Sequence, residues 1–212
     1  MRLRITFAKY GALRYCGHLD LNRIWERTIR RAKLPLIYSQ AFHPQPKIHL
    51  AAALPLGFIG RHEVMDIWLE DSTPIPEIKN RLQTSAPPGL ELLQVVQVDE
   101  HLPLLQTQVV AADYDVTLLD PLPVSEISSR LAAVMGAGSL LRERRGRTYD
   151  LRPMIESLDM LPLEKDGLVR LSMRLSARPG ATGRPEEVLA EMGIAIEDTR
   201  TERTQLLFQN SN

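Results

Sequence analysis

The sequence predicts an α+β fold made of two tandem halves, each with an antiparallel sheet. Segments that alternate polar and apolar residues predict strands, and segments with an apolar residue every three or four positions predict helices. In each half these segments follow the order strand, helix, strand, strand, helix, strand. That order is typical of the ferredoxin-like arrangement. We therefore predict two ferredoxin-like domains, at residues 1–105 and 106–212.

The first half begins with the alternating segment RLRITFAKY at residues 2–10, which predicts a strand. A helix follows, with Asp20 as its predicted N-cap and Lys33, just before a Leu-Pro pair, at its end. The later elements of this half are predicted as strands at 47–54, 63–69 and 90–98 and a helix at 77–82.

The second half repeats the order of the elements with little side-chain identity to the first half. Its predicted elements are strands at 112–119, 168–177 and 194–208, helices at 124–135 and 184–192, and a strand or hairpin at 140–155. Residues 101–109 are predicted to connect the two halves.

Positive charge is concentrated at the start of the chain. The whole chain is neutral, with 26 Lys+Arg against 26 Asp+Glu. Residues 1–50 hold ten Lys+Arg and two acids, a net charge of 10 − 2 = +8, so residues 51–212 carry 16 − 24 = −8. A separation of this size predicts one basic surface on the folded molecule.

The first helix carries much of this charge. One side of it is an apolar stripe predicted to face the core, formed by Leu21, Ile24, Trp25, Thr28, Ile29 and Ala32. The other side holds Arg23, Arg27, Arg30 and Arg31. Glu26 is placed to pair with Arg30, four positions later. Unpaired arginines suit phosphate oxygens, although they could equally serve only to keep the helix face in contact with water.

The loop after this helix, residues 39–46, holds two prolines that keep it out of a helix and largely out of a sheet ladder. Aromatic side chains near the basic residues are typical of surfaces that bind single-stranded RNA. Trp25 belongs to the core stripe, so Tyr38 and Phe42 are the better stacking candidates. The predicted nucleic-acid-binding residues are Arg14, Arg23, Arg27, Arg30, Arg31, Tyr38, Gln40, Phe42, His43 and Lys47.

A second basic cluster lies in the second half, in the segment LRERRGRTYDLR. Its members are Arg142, Arg144, Arg145 and Arg147, around Gly146 as a predicted turn. Two interpretations are open: a solvated hairpin tip, or a further ligand-binding cluster.

Catalytic and metal motifs are sparse. His18 could act as a general base oriented by Asp20, or Asp20 could simply cap the helix. Cys16, His18, His43 and His49 do not have the spacing of a usual metal site, so we predict no metal and no cofactor.

The cellular compartment can be predicted from the cysteine content and the lengths of the apolar runs. A single cysteine excludes an intrachain disulfide and fits a reducing environment. No run approaches the roughly 18 to 20 apolar residues that a membrane-spanning helix needs. We predict a cytoplasmic protein without a membrane partner.

Four segments together resemble a known family. They are FAKYGALRYCGHLDLNRIWERTIRRAKLPLIYSQAFHPQPKI at 7–48, ALPLG at 53–57, TYDLRPMI at 148–155 and RPEEVL at 184–189. They are similar to a bacterial radical-SAM-associated domain of unknown function, which occurs fused to radical-SAM proteins or encoded beside them. Gly17 departs from the family pattern, which usually has Ser before the His-Leu-Asp.

The resemblance implies an accessory role beside a radical-SAM protein, with presentation of an RNA to a modifying enzyme as our inference. This chain lacks the CxxxCxxC motif that holds the radical-SAM cluster. Its tandem halves also look like RAMP-type RNA-processing proteins, in which a histidine can act as base, but Gly193 stands alone where their glycine-rich loop is expected. The alternatives are a metal-independent endoribonuclease with His18 as base, and a protein–protein adaptor for the radical-SAM partner.

Overall fold

The computed structural model describes residues 1–70 and 73–209. The chain divides into two compact units, Met1–Val109 and Val110–Asn212, called unit 1 and unit 2 below. Helices and largely antiparallel strands make up both units, which confirms the predicted α+β class. That each unit is a separate domain, and that the two are repeats of each other, stay predictions.

Unit 1 has the predicted order of elements. They are β1 (Arg2–Lys9), α1 (His18–Arg31), β2 (Ile48–Leu50), β3 (Ile59–Trp68), α2 (Ile75–Ser85), β4 (Leu90–Val98) and the short α3 (Leu105–Gln108). Its strands lie in the order β4-β1-β3-β2, each antiparallel to its neighbour. β2 is shorter than the predicted strand at 47–54, because the run of alanines after Leu50 is poorly suited to a strand.

The core of unit 1 lies between the sheet and its two long helices. Alternate residues of β1, Leu3, Ile5 and Phe7, are fully buried, and Phe7 meets the ring of Trp25 edge to face at 5.0 Å between centroids. The predicted stripe of α1 is confirmed, except that Ile24 is only partly buried. An aromatic pair of this geometry stabilises a core beyond the area that it buries.

Helix α1 begins earlier than predicted. Its N-cap is Gly17, and the N–H of Leu21 donates to the Gly17 carbonyl at 2.9 Å. The prediction that Asp20 is the N-cap is therefore wrong. Asp20 lies in the first turn instead, where its carboxylate still benefits from the positive end of the helix dipole.

The end of α1 is closed by backbone geometry. Lys33 takes a left-handed conformation, with φ of +54°. This lets the N–H of Leu34 donate to the Ile29 carbonyl at 3.2 Å and that of Lys33 donate to the Arg30 carbonyl at 3.0 Å, the bonds of a Schellman motif. Glycine usually occupies the position of Lys33, because a side chain is strained there.

The other face of the unit 1 sheet holds a buried charge cluster. Asp66, with no exposed surface, accepts hydrogen bonds from Arg2 (2.6 Å to Nη2) and Arg4 (2.9 Å to Nε). Arg2 also donates to the carbonyls of Leu102 (2.6 Å) and Pro103 (3.0 Å). The cluster therefore fixes β1 against β3 and ties the segment after β4 to the sheet.

The first strand of unit 2, β5 (Val109–Leu118), begins at the last residue of unit 1. The other elements are α4 (Val124–Gly136), β6 (Leu141–Arg144), β7 (Arg147–Asp150), β8 (Ile155–Met160), β9 (Arg170–Arg178), β10 (Ala181–Thr182), α5 (Pro185–Glu191) and β11 (Thr199–Phe208). β11 lies beside β5, β5 beside β9, and β8 and β10 both pair with β9. β6 and β7 form a separate two-stranded hairpin.

Two strands of unit 2 differ from the predictions. β8 was not predicted, because a bulge between Ile155 and Ser157 interrupts the alternation on which a strand prediction depends. The predicted strand at 194–208 begins only at Thr199, since residues 196–198 form a turn of 3-10 helix.

Replacing Asp66 tests the charge cluster. We expect Asp66→Asn to lower the free energy of unfolding by roughly 3–5 kcal/mol, because Arg2 then stays buried without a counter-charge. Urea denaturation followed by circular dichroism measures the change. The control is Asp159→Asn, which removes a carboxylate from the exposed surface of β8. Equal stability of the two variants would contradict the role assigned to Asp66.

Candidate nucleic-acid interface

The outer face of α1 is a cationic surface. Arg23, Arg27, Arg30 and Arg31 are all exposed. Arg23 lies 3.7 Å from a carboxylate oxygen of Asp20, and Arg31 donates to the Thr28 hydroxyl at 3.5 Å. Within residues 1–70 and 73–209, the guanidinium groups of Arg27 and Arg30 make no ion pair and no hydrogen bond. They are therefore available to a ligand.

The chain after α1 forms a small hairpin, residues 37–47, called the 37–47 hairpin. The N–H of Lys47 donates to the Ile37 carbonyl at 2.8 Å, and the N–H of Ser39 donates to the Gln45 carbonyl at 2.8 Å. The Ile37 N–H donates in turn to the Trp68 carbonyl of β3, also at 2.8 Å. Residues 39–46 lie outside the strands of the sheet, as predicted, and Pro46 alone among them forms an isolated bridge, to Tyr38.

Tyr38 braces this hairpin against α1. Its hydroxyl donates to a carboxylate oxygen of Glu26 at 3.2 Å, although 40% of the residue remains exposed. Burial and the neighbouring Glu26 carboxylate raise the pKa of Tyr38, while Arg30 opposes them. Glu26, which the sequence pairs with Arg30, thus joins the hairpin to the middle of the helix. The basic face and the hairpin are held side by side.

The tip of the hairpin presents aromatic surface. Phe42 is 95% exposed, and its ring meets that of His43 edge to face at 4.8 Å between centroids. Gln40 and His43 are exposed at the same tip, and Lys47 is exposed at the base. An almost uncovered ring beside cations is the arrangement on which an unpaired base can stack.

Three predicted residues lie before α1 or in its first turn. Arg14 is in a 3-10 turn before α1, where its guanidinium carbon lies 4.6 Å from the centroid of the Tyr15 ring. His18 is the first residue of α1 and Asp20 the third. Positions two apart on a helix do not face each other, which disfavours Asp20 as the group that orients His18.

A groove of about 350 Å³ between the ends of α1 and α2 was not foreseen from the sequence. Its lining is Arg31, Ala32, Lys33, Asn80, Arg81, Thr84 and Ser85. The one sequence feature that could have drawn attention to this groove is Lys33, which stands just after a helix at a position where glycine is usual. Cations near a helix C-terminus also stabilise its dipole, which is an ordinary structural role for Arg31 and Lys33.

Of the four arginines in the second basic cluster, Arg142 contacts α5 and the other three are exposed. Arg142 lies 2.8 Å from a carboxylate oxygen of Glu191 and donates to the Glu187 carbonyl at 2.9 Å. Arg144, Arg145 and Arg147 lie at the exposed end of the β6–β7 hairpin, and Gly146 with φ of +72° is part of the turn, as predicted.

The described residues form neither a group of metal ligands nor a membrane-spanning helix. Across residues 1–70 and 73–209, no three or more His, Cys, Asp and Glu side chains are grouped as metal ligands, so Cys16, His18, His43 and His49 form no such group there. In the same part of the chain, every helix is too short or too polar to cross a bilayer.

Comparison of the sequence with protein families gives one match. Residues 2–185 match the family described as "Uncharacterized protein conserved in bacteria (DUF2344)". The chain belongs to this family. The predicted membership of an uncharacterized bacterial family is thereby confirmed. No curated protein matches the DUF2344 chain.

Three solved structures resemble this DUF2344 protein. A chain of the Cbf5-Nop10-Gar1 complex matches with a TM-score of 0.51 and 12% identity over 99% of this chain and 50% of that one. A chain of the archaeal box H/ACA sRNP Nop10-Cbf5 complex matches with a TM-score of 0.47 and 12% identity, over 99% of this chain and 49% of that one. A putative glycine cleavage system transcriptional repressor matches with a TM-score of 0.25 and 14% identity, over 99% of this chain and 98% of that one.

The DUF2344 chain spans about half the length of the first two structures. At 12% identity, the likeness to the Cbf5-Nop10-Gar1 chain concerns the fold alone.

His49, beside the charge cluster, is expected to make the free energy of unfolding depend on pH. It is partly buried, meets Trp68 edge to face at 4.9 Å, and its buried Nδ1 has no hydrogen-bond partner among the described residues. Burial lowers the pKa of His49, and Asp66 only partly opposes this effect. The unfolded chain then takes up a proton first as the pH falls below about 6.5, so acid destabilises the fold.

We therefore expect the free energy of unfolding to fall between pH 7 and pH 5, and to fall less in His49→Phe, which keeps a ring against Trp68. Denaturant titrations at several pH values measure this. The control, His43→Phe at the hairpin tip, should show the same fall as the wild type. A His49→Phe variant with the wild-type pH profile would contradict the assignment.

Proposed function

We propose that this protein binds single-stranded RNA through the outer face of α1 and the 37–47 hairpin. In this proposal it is an accessory module for a radical-SAM partner enzyme that modifies RNA. The observation that carries the proposal is the pair Arg27 and Arg30, exposed and without carboxylate partners among the described residues, beside a hairpin that exposes Phe42.

Charge supports a phosphate ligand. The two acids of α1 are already engaged, Asp20 with Arg23 and Glu26 with Tyr38. Arg27 and Arg30 are then left to a ligand with dense negative charge. A guanidinium group meets a phosphate with two parallel hydrogen bonds, which a water-exposed helix face does not require.

The hairpin supports single-stranded RNA in particular. Bases that are not paired can stack on an aromatic ring while their phosphates contact nearby cations. Phe42 offers such a ring, and Tyr38 fixes the hairpin against the helix that supplies the cations. A purely electrostatic contact with an acidic protein would leave Phe42 without a role.

The radical-SAM partner is proposed from the resemblance of the sequence alone. This chain has one cysteine, Cys16, whereas a radical-SAM cluster needs three. The redox chemistry would therefore be supplied by the partner, and this protein would bind the RNA.

The double variant Arg27→Ala/Arg30→Ala tests the RNA site. Binding of a fluorescent 30-nucleotide single-stranded RNA is measured between 50 and 300 mM salt. Each lost phosphate contact should reduce the slope of log affinity against log salt by about 0.7. We expect a loss of about 1.4 in slope and weaker binding at every salt concentration.

The matched control is Arg178→Ala/Arg200→Ala, which removes the same charge from β9 and β11 of unit 2. Wild-type binding by the α1 variant, or an equal loss in the control, would refute the site. Shortening of the RNA by the wild type but not by His18→Ala would favour the endoribonuclease instead. Absence of RNA binding together with capture of the partner in nuclease-treated extract would favour the adaptor.

Phe42→Ala tests the stacking surface. Removal of a stacking ring weakens binding by about 1–3 kcal/mol, with no change in the salt slope, because no phosphate contact is lost. Stability should not change, since the ring is 95% exposed. The control is Leu104→Ala, another exposed apolar residue of unit 1. An affinity equal to that of the wild type would remove Phe42 from the site.

A further inference from the structure

The hairpin of β6 and β7, residues 141–150, is called the arginine ribbon. Its turn is Arg145-Gly146, with φ of +51° and +72°. Positive φ at both central residues is the type I′ turn, which fits the twist of a two-residue hairpin. Arg144 and Arg147 are paired directly opposite each other on either side of this turn.

The base of the arginine ribbon is fixed to α5. Arg142 contacts Glu187 and Glu191, and the hydroxyl of Tyr149 donates to the Glu187 carboxylate at 2.5 Å. Asp150 accepts the N–H of Leu140 at 2.8 Å. A lone two-stranded hairpin is marginally stable in water, so these contacts explain why the ribbon is ordered. The turn and the residues beside it, Arg144 to Arg147, make none of these contacts.

The tip carries three unengaged cations. Arg144, Arg145 and Arg147 are exposed, and their guanidinium groups make no ion pair or hydrogen bond within residues 1–70 and 73–209. Glu143, the one acid of the tip, is paired with Thr148 across the ribbon, one position away from the pair of arginines. Residues one position apart on a strand point to opposite faces.

Two features of this tip oppose folding. Like charges directly opposite each other on a hairpin are destabilising. Arginine at a left-handed position is strained, whereas Asn, Asp and Gly are the residues that a type I′ turn favours. In the part of the chain that the structure describes, no ion pair or hydrogen bond of the tip guanidinium groups offsets either feature. Together they point to a ligand outside the chain.

We propose that the tip of the arginine ribbon is a second contact for RNA phosphates, separate from the α1 site. The choice of ligand rests on the proposed function. Basic β-ribbons are one of the ways in which proteins engage nucleic acids, and three guanidinium groups around one turn form a compact phosphate-binding point. The contacts of Arg142 and Tyr149 with α5 fix the ribbon before any ligand is present, so RNA binding requires little loss of conformational entropy.

The test is the triple variant Arg144→Thr/Arg145→Asn/Arg147→Thr. Thr pairs well across strands and Asn fits the left-handed position, so the melting temperature should be unchanged or higher. Binding of the same 30-nucleotide RNA should weaken, and the slope of log affinity against log salt should fall by about 2. A gain in stability with a loss of binding is the signature of residues kept for a ligand.

The control removes equal charge from elsewhere in unit 2, with Lys165→Gln/Arg178→Gln/Arg200→Gln. Wild-type affinity and slope in the ribbon variant, or the same losses in the control, would overturn the inference. A lower melting temperature would also count against it, because the strain argument would then be wrong. The single variant Arg145→Asn, which leaves both strands intact, should still lose about 0.7 in slope.

The two proposals fail separately. If Arg27→Ala/Arg30→Ala weakens binding and the ribbon variant does not, the inference is wrong and the α1 site stands. If only the ribbon variant weakens binding, the α1 site is wrong and the ribbon contact stands. If neither variant changes the binding of RNA, both are wrong.

Discussion

The pairing of Asp66 with Arg2 and Arg4 is the constraint on which unit 1 depends. A carboxylate with no exposed surface is stable only when its charge is compensated and hydrogen-bonded, and two guanidinium groups of β1 do both. The register of β1 on β3 follows from this contact, since Arg4 is paired directly with Asp66. The segment after β4 is held by the same Arg2.

This cluster also decides where the basic surface lies. Arg2 and Arg4 count among the ten cations of residues 1–50, yet both are ion-paired with Asp66, whose single negative charge offsets one of their two positive charges. Lys9 is buried as well and donates to the Cys16 carbonyl at 2.8 Å. The side chains of Arg2 and Lys9 are therefore not presented to the solvent. What remains is concentrated on α1 and the 37–47 hairpin, which makes the surface narrower than the charge count implies.

The two candidate contacts are built on the same physical plan. In each, a short hairpin is fixed at its base by a tyrosine that donates to a glutamate on a neighbouring helix, Tyr38 to Glu26 and Tyr149 to Glu187. In each, the tip carries exposed side chains, Phe42 in the 37–47 hairpin and Arg144, Arg145 and Arg147 in the arginine ribbon. Fixed bases and free tips reduce the ordering that a ligand must impose, so modest contacts can still give useful affinity.

The sequence by itself determined the fold class, the order of elements in unit 1 and the two faces of α1. These follow from periodicity, which reports which side of an element avoids water. Only the tertiary structure decided which charges are free. Arg142 proved to be engaged by α5 while its neighbours were not, and Tyr38 proved to be a brace. The reason is that an ion pair depends on carboxylates such as Asp66, 62 positions from Arg4, whose approach no local pattern encodes.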